Sequence, residues 1–593
     1  MAEKKISKLT ELGSQPDPNP VTIRRISPPS SNPRSGIRPL FLSLAVLLTI
    51  YIFFIDSPFL PNSRPSILSK SGLQPDSSSP FGPASPHLTW SSCGDRFQCA
   101  NLSVPLNHLN ASDPRTVYIA ITKYMATKPS PSHGTLIINP GGPGGSGSQA
   151  TYRLGPLLNE ILEGQYDILG FDPRGVNLTL PSVKCVDPLV RFELDKILGA
   201  TAPSRNSHDV GLWDSVSQLV ANECEANSKS EILQFVNTPS VARDIAAIVD
   251  ALHEEKKHHV SYWGFSYGTN LGAVFAGMFP NKMHKIILDG IRSPFDSREI
   301  FEWGFTSLAS STDVADGYFD ICEKVGGDRC PLANSPNSNV KETVMGLFET
   351  LYERPLPVSL GNVIGLVTFL DYKTLFYETL YHPRDWQKFA DITADLLNGN
   401  GTSFLVATES WGSVISGVDS GTAVLCTDSV PATNYSLSSW KEYVHEMTET
   451  SWVSGDMRSL TTMPCRHWRS IPNERWLGDF EGVELKVPIL MIGNTYDPAT
   501  PIDSARRLLQ KLGENAVLVE QNSYGHCSGS SVSSCTYKII LDYLLEGRLP
   551  EKGTICQVDG SFGDYFPEEK SGDLSHDLFR DLSKRIMEEI RVK

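Results

Sequence analysis

Three residues far apart in the chain, Ser266, Asp497 and His526, have the types needed for nucleophilic acyl transfer. A serine hydroxyl is a weak nucleophile until an imidazole takes its proton, and the imidazole needs a carboxylate to fix its tautomer. Ser266 stands in Gly264-Phe265-Ser266-Tyr267-Gly268. Gly-x-Ser-x-Gly alone is a weak signal in a chain with 46 glycines. Its neighbours strengthen it: His259 to Trp263 reads as a strand, and Asn270 to Ala276 as the start of a helix. A serine at so tight a strand-to-helix turn is held in a strained backbone geometry, with its hydroxyl raised above the sheet. The flanking glycines fit where a side chain would collide with the adjoining strand and helix.

The other two residues also follow strands. Val487 to Asn494 is a buried run that ends at Thr495-Tyr496-Asp497-Pro498, and Ala516 to Glu520 leads into Asn522-Ser523-Tyr524-Gly525-His526. Side chains just past strand ends gather at the carboxyl edge of a parallel sheet, where sites in open α/β folds lie. An oxyanion formed at the attacked carbonyl would need backbone donors. Gly134 to Asn139 is a buried strand running into Pro140-Gly141-Gly142-Pro143-Gly144-Gly145-Ser146-Gly147. This loop lacks the Lys-Ser/Thr of a P-loop and the dinucleotide-binding spacing with its distal acid. It reads as a presenter of amides, and the expected oxyanion donors are the N–H groups of Gly142 and Tyr267. The chemistry calls for no metal and no cofactor.

The remaining elements supply the frame. Tyr166 to Phe171 is a strand ending in Asp172-Pro173-Arg174-Gly175, where Arg174 is expected to ion-pair with Asp172 or a neighbour. Ser240 to Leu252 carries apolar residues at helical spacing, and Lys285 to Gly290 is a further buried strand. Strand and helix alternating in this way mean a parallel sheet with helical crossovers on both faces. Asn101 to Pro105 and Thr116 to Ile121 read as antiparallel leading strands. After Pro294 the strand pattern disappears until about Leu485, and the intervening residues are helical and aromatic.

At 593 residues the chain exceeds one ordinary core. Its net charge of −15 argues against a nucleic-acid partner, because phosphate binding needs a basic face. Residues 1–38 are polar, rich in Pro and Ser, and read as a disordered cytosolic tail. Residues 39–55, Pro39 to Ile55, form a charge-free run of 17 residues preceded by basic side chains. The run is long enough to span a bilayer if short for one, and positive-inside bias puts the N-terminus in the cytosol. The expectation is a single-pass type II transmembrane signal anchor, with a cleaved signal peptide (and a secreted product) as the alternative. A flexible stalk over 56–87 follows. The catalytic frame then divides into 88–294, a mostly helical cap insertion over 295–480, a second part of the frame over 481–560, and a C-terminal helical tail over 561–593.

The chain has 11 cysteines and sequons at Asn101, Asn110, Asn177, Asn400 and Asn434. With the apolar segment they favour the secretory pathway, with the catalytic part lumenal or extracellular. Cys93 and Cys99 are close enough to pair locally, Cys185 and Cys224 flank a polar helical excursion, and Cys322 with Cys330 would close a short loop. Cys426 and Cys465 form the cap's other pair. An odd count leaves at least one thiol free or paired between chains.

With these residues assembled, the chain resembles the peptidase branch of the α/β-hydrolases that includes proline iminopeptidase and the tripeptidyl aminopeptidases, over roughly residues 88–560. The resemblance rests on Pro140-Gly141-Gly142-Pro143-Gly144, Asp172-Pro173-Arg174-Gly175, the Ser266 pentapeptide, Asp289-Gly290, Asp497-Pro498-Ala499-Thr500-Pro501 and Gly525-His526. Cys426-Thr427-Asp428, Cys465-Arg466-His467-Trp468 and Gly547 to Cys556 resemble the tripeptidyl-aminopeptidase-like C-terminal region. It implies an α/β-hydrolase fold with a Ser-Asp-His triad, an exopeptidase acting on peptides, and pairing of Cys535 with Cys556, which leaves Cys527 as the odd thiol. Two departures stand out: Pro140 replaces the His of the iminopeptidase loop, and Asn177-Leu178-Thr179 replaces the usual Gly-x-Ser after Asp-Pro-Arg-Gly.

An aminopeptidase must pair the substrate's N-terminal ammonium with a carboxylate. Asp428, Glu409 and Glu302 are the candidates, and Trp303, Trp411, Trp440 and Trp468 could line an apolar pocket. The same machinery serves a carboxylesterase or lactonase until the pocket decides. A catalytically silent, membrane-anchored binding domain is the rival from another class.

Overall fold

In a computed structural model the described residues are 80–560, except 129–132, 255–258, 335–338, 362 and 409–417, together with 574–590. The tail, the apolar run at 39–55 and most of the stalk lie outside them, as does Glu409. Among the described residues no helix is long and apolar enough to cross a membrane.

The frame is a ten-stranded sheet in the order β1-β2-β3-β5-β4-β6-β7-β10-β11-β12. β1 (Ser91–Gly94), β2 (Phe97–Pro105) and β3 (Thr116–Tyr124) are the antiparallel leaders, and β3 also pairs antiparallel with β5 (Tyr166–Phe171). From β5 through β4 (Gly134–Asn139), β6 (Val260–Phe265), β7 (Ile286–Asp289), β10 (Ile489–Tyr496) and β11 (Ala516–Tyr524) to β12 (Ile555–Gln557), every pairing is parallel. The central strands are buried along their length because helices cover both faces. Ile137, Tyr262 and Leu288 pack with Val241, Ile245 and Leu271 on one face. Ile138, Trp263 and Ile287 pack with Leu154, Ile540 and Ile586 on the other.

Three features go beyond the sequence expectation. The insertion is mostly helical but contains an antiparallel hairpin, β8 (Leu356–Leu360) with β9 (Val363–Val367), turned at Gly361 with φ +60°. Its alternating exposure hides one apolar face on the cap core, which a reading tuned to fully buried runs passes over. The sheet does not stop at β11, because β12 adds three residues that carry Cys556. The C-terminal helix Leu574–Ile590 is no loose tail: Leu582, Ile586 and Met587 are buried against the frame. Disulfides join Cys93–Cys99, Cys185–Cys224, Cys322–Cys330, Cys426–Cys465 and Cys535–Cys556, and Cys527 is a buried free thiol.

Candidate active site

β6 ends at Phe265 and the helix Tyr267–Met278 begins two residues later, so Ser266 alone makes the turn. Its backbone is at φ 54°, ψ −123°, a strained position for a residue with a side chain. The flanking glycines are required by space. A Cβ on Gly264 would lie 2.4 Å from the Gly268 carbonyl oxygen, and one on Gly268 would lie 2.8 Å from that of Asn139. The turn is tied to the next strand by the Ser266 N–H, which donates to the Asp289 carbonyl at 3.0 Å.

Asp497 and His526 meet behind that turn. His526 Nδ1 lies 3.0 and 2.9 Å from the two carboxylate oxygens of Asp497. Both side chains are almost fully buried. Asp497 Oδ1 also accepts from the N–H groups of Ala499 and Thr500, and Oδ2 from the Thr500 hydroxyl and the Cys527 N–H. Burial alone would raise this carboxyl's pKa. The neighbouring imidazole and the converging donors outweigh it and hold the group below the usual carboxylate range. Asp289 lies nearby and behaves oppositely: burial pushes it up to about 6, although Ser528 donates to it from both N–H and hydroxyl. Geometry therefore assigns the imidazole to Asp497, while Asp289 anchors the loop that carries His526.

Ser266 and His526 line one cavity of about 190 Å³. No hydrogen bond joins their side chains in this structure, and such contacts commonly tighten only with substrate in place. The glycine loop after β4 supplies one wall through Pro140, Gly141, Gly142, Pro143 and Gly145. The Gly141 N–H is taken by Asn139 Oδ1 at 3.0 Å, which leaves the amides of Gly142 and Tyr267 as the available pair. The cap forms the roof with Trp303, Tyr377, Tyr381, Leu425, Met457 and Arg458. Tyr381 binds roof to relay, because its carbonyl accepts the His526 N–H at 3.1 Å and its ring meets the imidazole edge-on at 5.2 Å.

The acids expected to receive an ammonium fare differently. Asp428 is half-buried, does not line the cavity, and accepts from the Thr238 N–H and hydroxyl at 2.7 and 2.6 Å, holding the start of the helix Thr238–Glu254. Burial, opposed by those hydrogen bonds, pushes it up to about 6. Glu302 is half-buried on the helix Ile300–Thr306 and does not line the cavity, though its neighbour Trp303 does. Trp440 is buried in aromatic packing with Phe301 and Tyr443, Trp468 borders a separate surface depression, and Trp411 lies outside the described residues. Among the described residues the carboxylate that lines the cavity is Glu589 on the C-terminal helix, 2.7 Å from Arg153. Sequence reading missed it, although the apolar spacing Leu578, Leu582, Ile586 marks that helix as a packed one. Arg292 and Arg458 were missed as well. Arg292 follows a strand end by three residues and could have been found there, whereas nothing in the sequence flags Arg458.

Arg174 is fully buried and pairs with Asp244 on the Thr238–Glu254 helix through Nε and Nη2, both at 2.6 Å, rather than with Asp172. Asp172 instead caps the helix Gly147–Ile161, accepting from the Ser146 hydroxyl and the Ser148 N–H. Two sequons are closed by the fold. Asn101 is 4% exposed with Nδ2 donating to Gly82, and Asn177 Nδ2 donates to both Ser146 Oγ and Asp172. Asn110, Asn400 and Asn434 are exposed.

Comparison with known proteins agrees with this frame. A family model described as alpha/beta hydrolase fold matches residues 134–313, and one described as TAP-like protein matches residues 451–556. The chain is 26% identical to "Serine protease Hip1" of Mycobacterium tuberculosis, over 77% of this chain and 87% of that protein. It is also 26% identical to "Tripeptidyl aminopeptidase" of Streptomyces lividans, over 79% and 86%. "Carboxylesterase B" of Mycobacterium tuberculosis matches at 24%, over 79% and 90%.

Proposed function

The chain is a serine hydrolase of the α/β-hydrolase superfamily, and from that premise we propose that it is an exopeptidase releasing short units from the amino ends of peptides. Ser266 attacks the carbonyl as His526 takes its proton. Asp497 holds the imidazole in the tautomer with its proton on Nδ1 and stabilises the cation that forms. The oxyanion is received by the amides of Tyr267 and Gly142, and one such donor is typically worth about 3 kcal/mol. His526 then protonates the leaving amine, and water hydrolyses the acyl-enzyme.

The observation that carries the exopeptidase reading is the roof. An endopeptidase needs a cleft that a chain can cross in both directions. Here cap side chains meet the catalytic loops around about 190 Å³, below the roughly 300–1,000 Å³ of pockets that hold drug-sized ligands. Short acyl portions fit such a space. Among the described residues Glu589 is the carboxylate that lines it, and an ammonium there would share Glu589 with Arg153. The name of one relative, "Tripeptidyl aminopeptidase", supports the same reading, and "Serine protease Hip1" supports peptidase action in general. The test is a panel of peptides, free and acetylated at the amino end, run beside Ser266→Ala. Cleavage confined to free amino ends is expected. Equal cleavage of blocked peptides, or turnover of esters alone, would overturn the reading. The ester alternative has its own support in the carboxylesterase relative.

The segment Pro39–Ile55 is read as a type II anchor, with the catalytic part lumenal or extracellular and glycans at Asn110, Asn400 and Asn434. Its charge-free run, the basic residues before it and the five disulfides support this reading. Protease protection of sealed microsomes, with and without endoglycosidase, tests it. A protease-sensitive, unglycosylated catalytic part would overturn it.

A further inference from the structure

Two cations face the catalytic cavity with most of their hydrogen-bonding capacity unused. Arg292 lies just past β7, and Arg458 lies on the cap helix Gly455–Thr461; both line the cavity that holds Ser266. Their guanidiniums flank one ring, with Cζ of Arg292 4.5 Å and Cζ of Arg458 5.5 Å from the Trp303 centroid. A guanidinium has five N–H donors in a planar fork. Among the described residues Arg292 uses Nε on Ser297 Oγ at 3.1 Å, and Arg458 uses Nη2 on the Tyr381 hydroxyl at 2.6 Å. Arg458 Nε is buried and makes no hydrogen bond.

Nearby carboxylates are committed elsewhere. Asp428 is engaged with Thr238, Asp497 with His526, and Glu589 with Arg153. Asp296, close to Arg292 in sequence, is held by Ser504 and Arg507. The Trp303 ring offsets part of the charge, and Asp428 acts on Arg292 and Asp497 on Arg458 from a distance, but among the described residues neither guanidinium is in an ion pair with a carboxylate. Burial, opposed by the charge of Asp428, holds Arg292 down to about 10, whereas the neighbouring Tyr377, Tyr381 and Asp497 outweigh burial and hold Arg458 above its ordinary value. In a cavity that must admit substrate, the unused donors of the two forks are left for an anion the substrate brings.

We propose that Arg292 and Arg458 form a carboxylate subsite that takes a negatively charged group of the substrate against Trp303, beside the nucleophile. The fork of each guanidinium matches a planar carboxylate, and a desolvated pair gives it two charge-assisted contacts. The carboxylate is either the free C-terminus of a short peptide or an acidic side chain. This inference rests on the serine-hydrolase reading and deepens it by naming the charge of the preferred substrate.

The experiment uses the full-length protein and two sets of paired substrates. In the peptide set, free-amino peptides are compared as C-terminal acid against C-terminal amide, and, with the C-terminus amidated, as Glu against Gln. In the ester set, p-nitrophenyl hemisuccinate is compared with p-nitrophenyl butyrate. The expected result is a preference of about 10- to 100-fold in kcat/KM for one carboxylate-bearing partner. That ratio should fall toward one in Arg292→Gln and in Arg458→Gln, and be partly kept in the Lys variants. The first peptide pair reports the C-terminus and the second the side chain. Turnover confined to the ester set would sink the peptidase reading while still testing the subsite. A wild-type ratio near one in every pair, which needs no variant to fold, overturns the proposal. So does a ratio that both Gln variants preserve.

Discussion

Replacing Asp497 by Asn changes one atom and tests the relay at its most determined point. The carboxylate divides its work between its two oxygens. Oδ1 takes the amides of Ala499 and Thr500, each at 2.8 Å, and also lies 3.0 Å from His526 Nδ1. Oδ2 takes the Thr500 hydroxyl at 2.8 Å, His526 Nδ1 at 2.9 Å and the Cys527 N–H at 3.1 Å. An asparagine that keeps its oxygen on the first pair turns its NH2 toward the second group. There the NH2 can donate to the Thr500 hydroxyl oxygen and to His526 Nδ1, and donation to Nδ1 requires the ring proton to move to Nε2, the side that must receive a proton from Ser266. Loss of the correct tautomer typically costs about 10⁴ in kcat, equivalent to about 5.5 kcal/mol. The measurement is the acylation rate with an activated ester in stopped flow, with circular dichroism to establish that the variant is folded. Asp289→Asn is the matched control, because that carboxylate holds Ser528 and not the imidazole. It should lose less than about tenfold. A folded Asp497→Asn within tenfold of wild type, or a larger loss in Asp289→Asn, would refute the assignment of the acid.

Other consequences concern the frame. Asp244→Ala strands the buried Arg174 guanidinium and should cost about 3–5 kcal/mol in denaturant unfolding; a loss under about 1 kcal/mol would contradict the ion-pair account. Gly141→Ala places a Cβ 2.4 Å from the Phe265 carbonyl oxygen and 3.0 Å from the Tyr267 nitrogen, at φ +87°. It should displace the oxyanion wall and slow acylation by about 10² or more, whereas near-normal acylation would remove the loop from the site. Asp428 has its pKa raised from 3.8 to about 6, so the stability it contributes is present below about pH 4 and lost as pH rises through 6. Relative to Asp428→Asn, the wild type should therefore lose up to about 3 kcal/mol between pH 4 and 7, and a pH-independent difference would contradict the burial argument.

The parts of the site that the sequence made legible are those governed by local rules. Ser266, Asp497 and His526 each follow a strand, and the chemistry of each position demands a particular side chain. Gly264 and Gly268 are legible for the same reason, since both are squeezed by backbone only a few residues or one strand away. What stayed hidden depends on tertiary meetings. Arg174 had an acid two residues away, yet its partner is Asp244, 70 residues on, because Asp172 is already engaged at a helix start. Asp428 has the right type for an ammonium site but is enclosed with Thr238. Glu589 and Arg458 reach the cavity only because a C-terminal helix and a cap helix pack where they do, which no spacing within either helix declares.

The most direct test is covalent. Full-length protein treated with a fluorophosphonate probe should gain a single adduct, mapped by tandem mass spectrometry to Ser266, with labelling abolished in Ser266→Ala and slowed in His526→Ala. An adduct on another residue, or a Ser266→Ala variant that labels as fast as wild type, would mean that the strained turn after β6 is not where the chemistry happens.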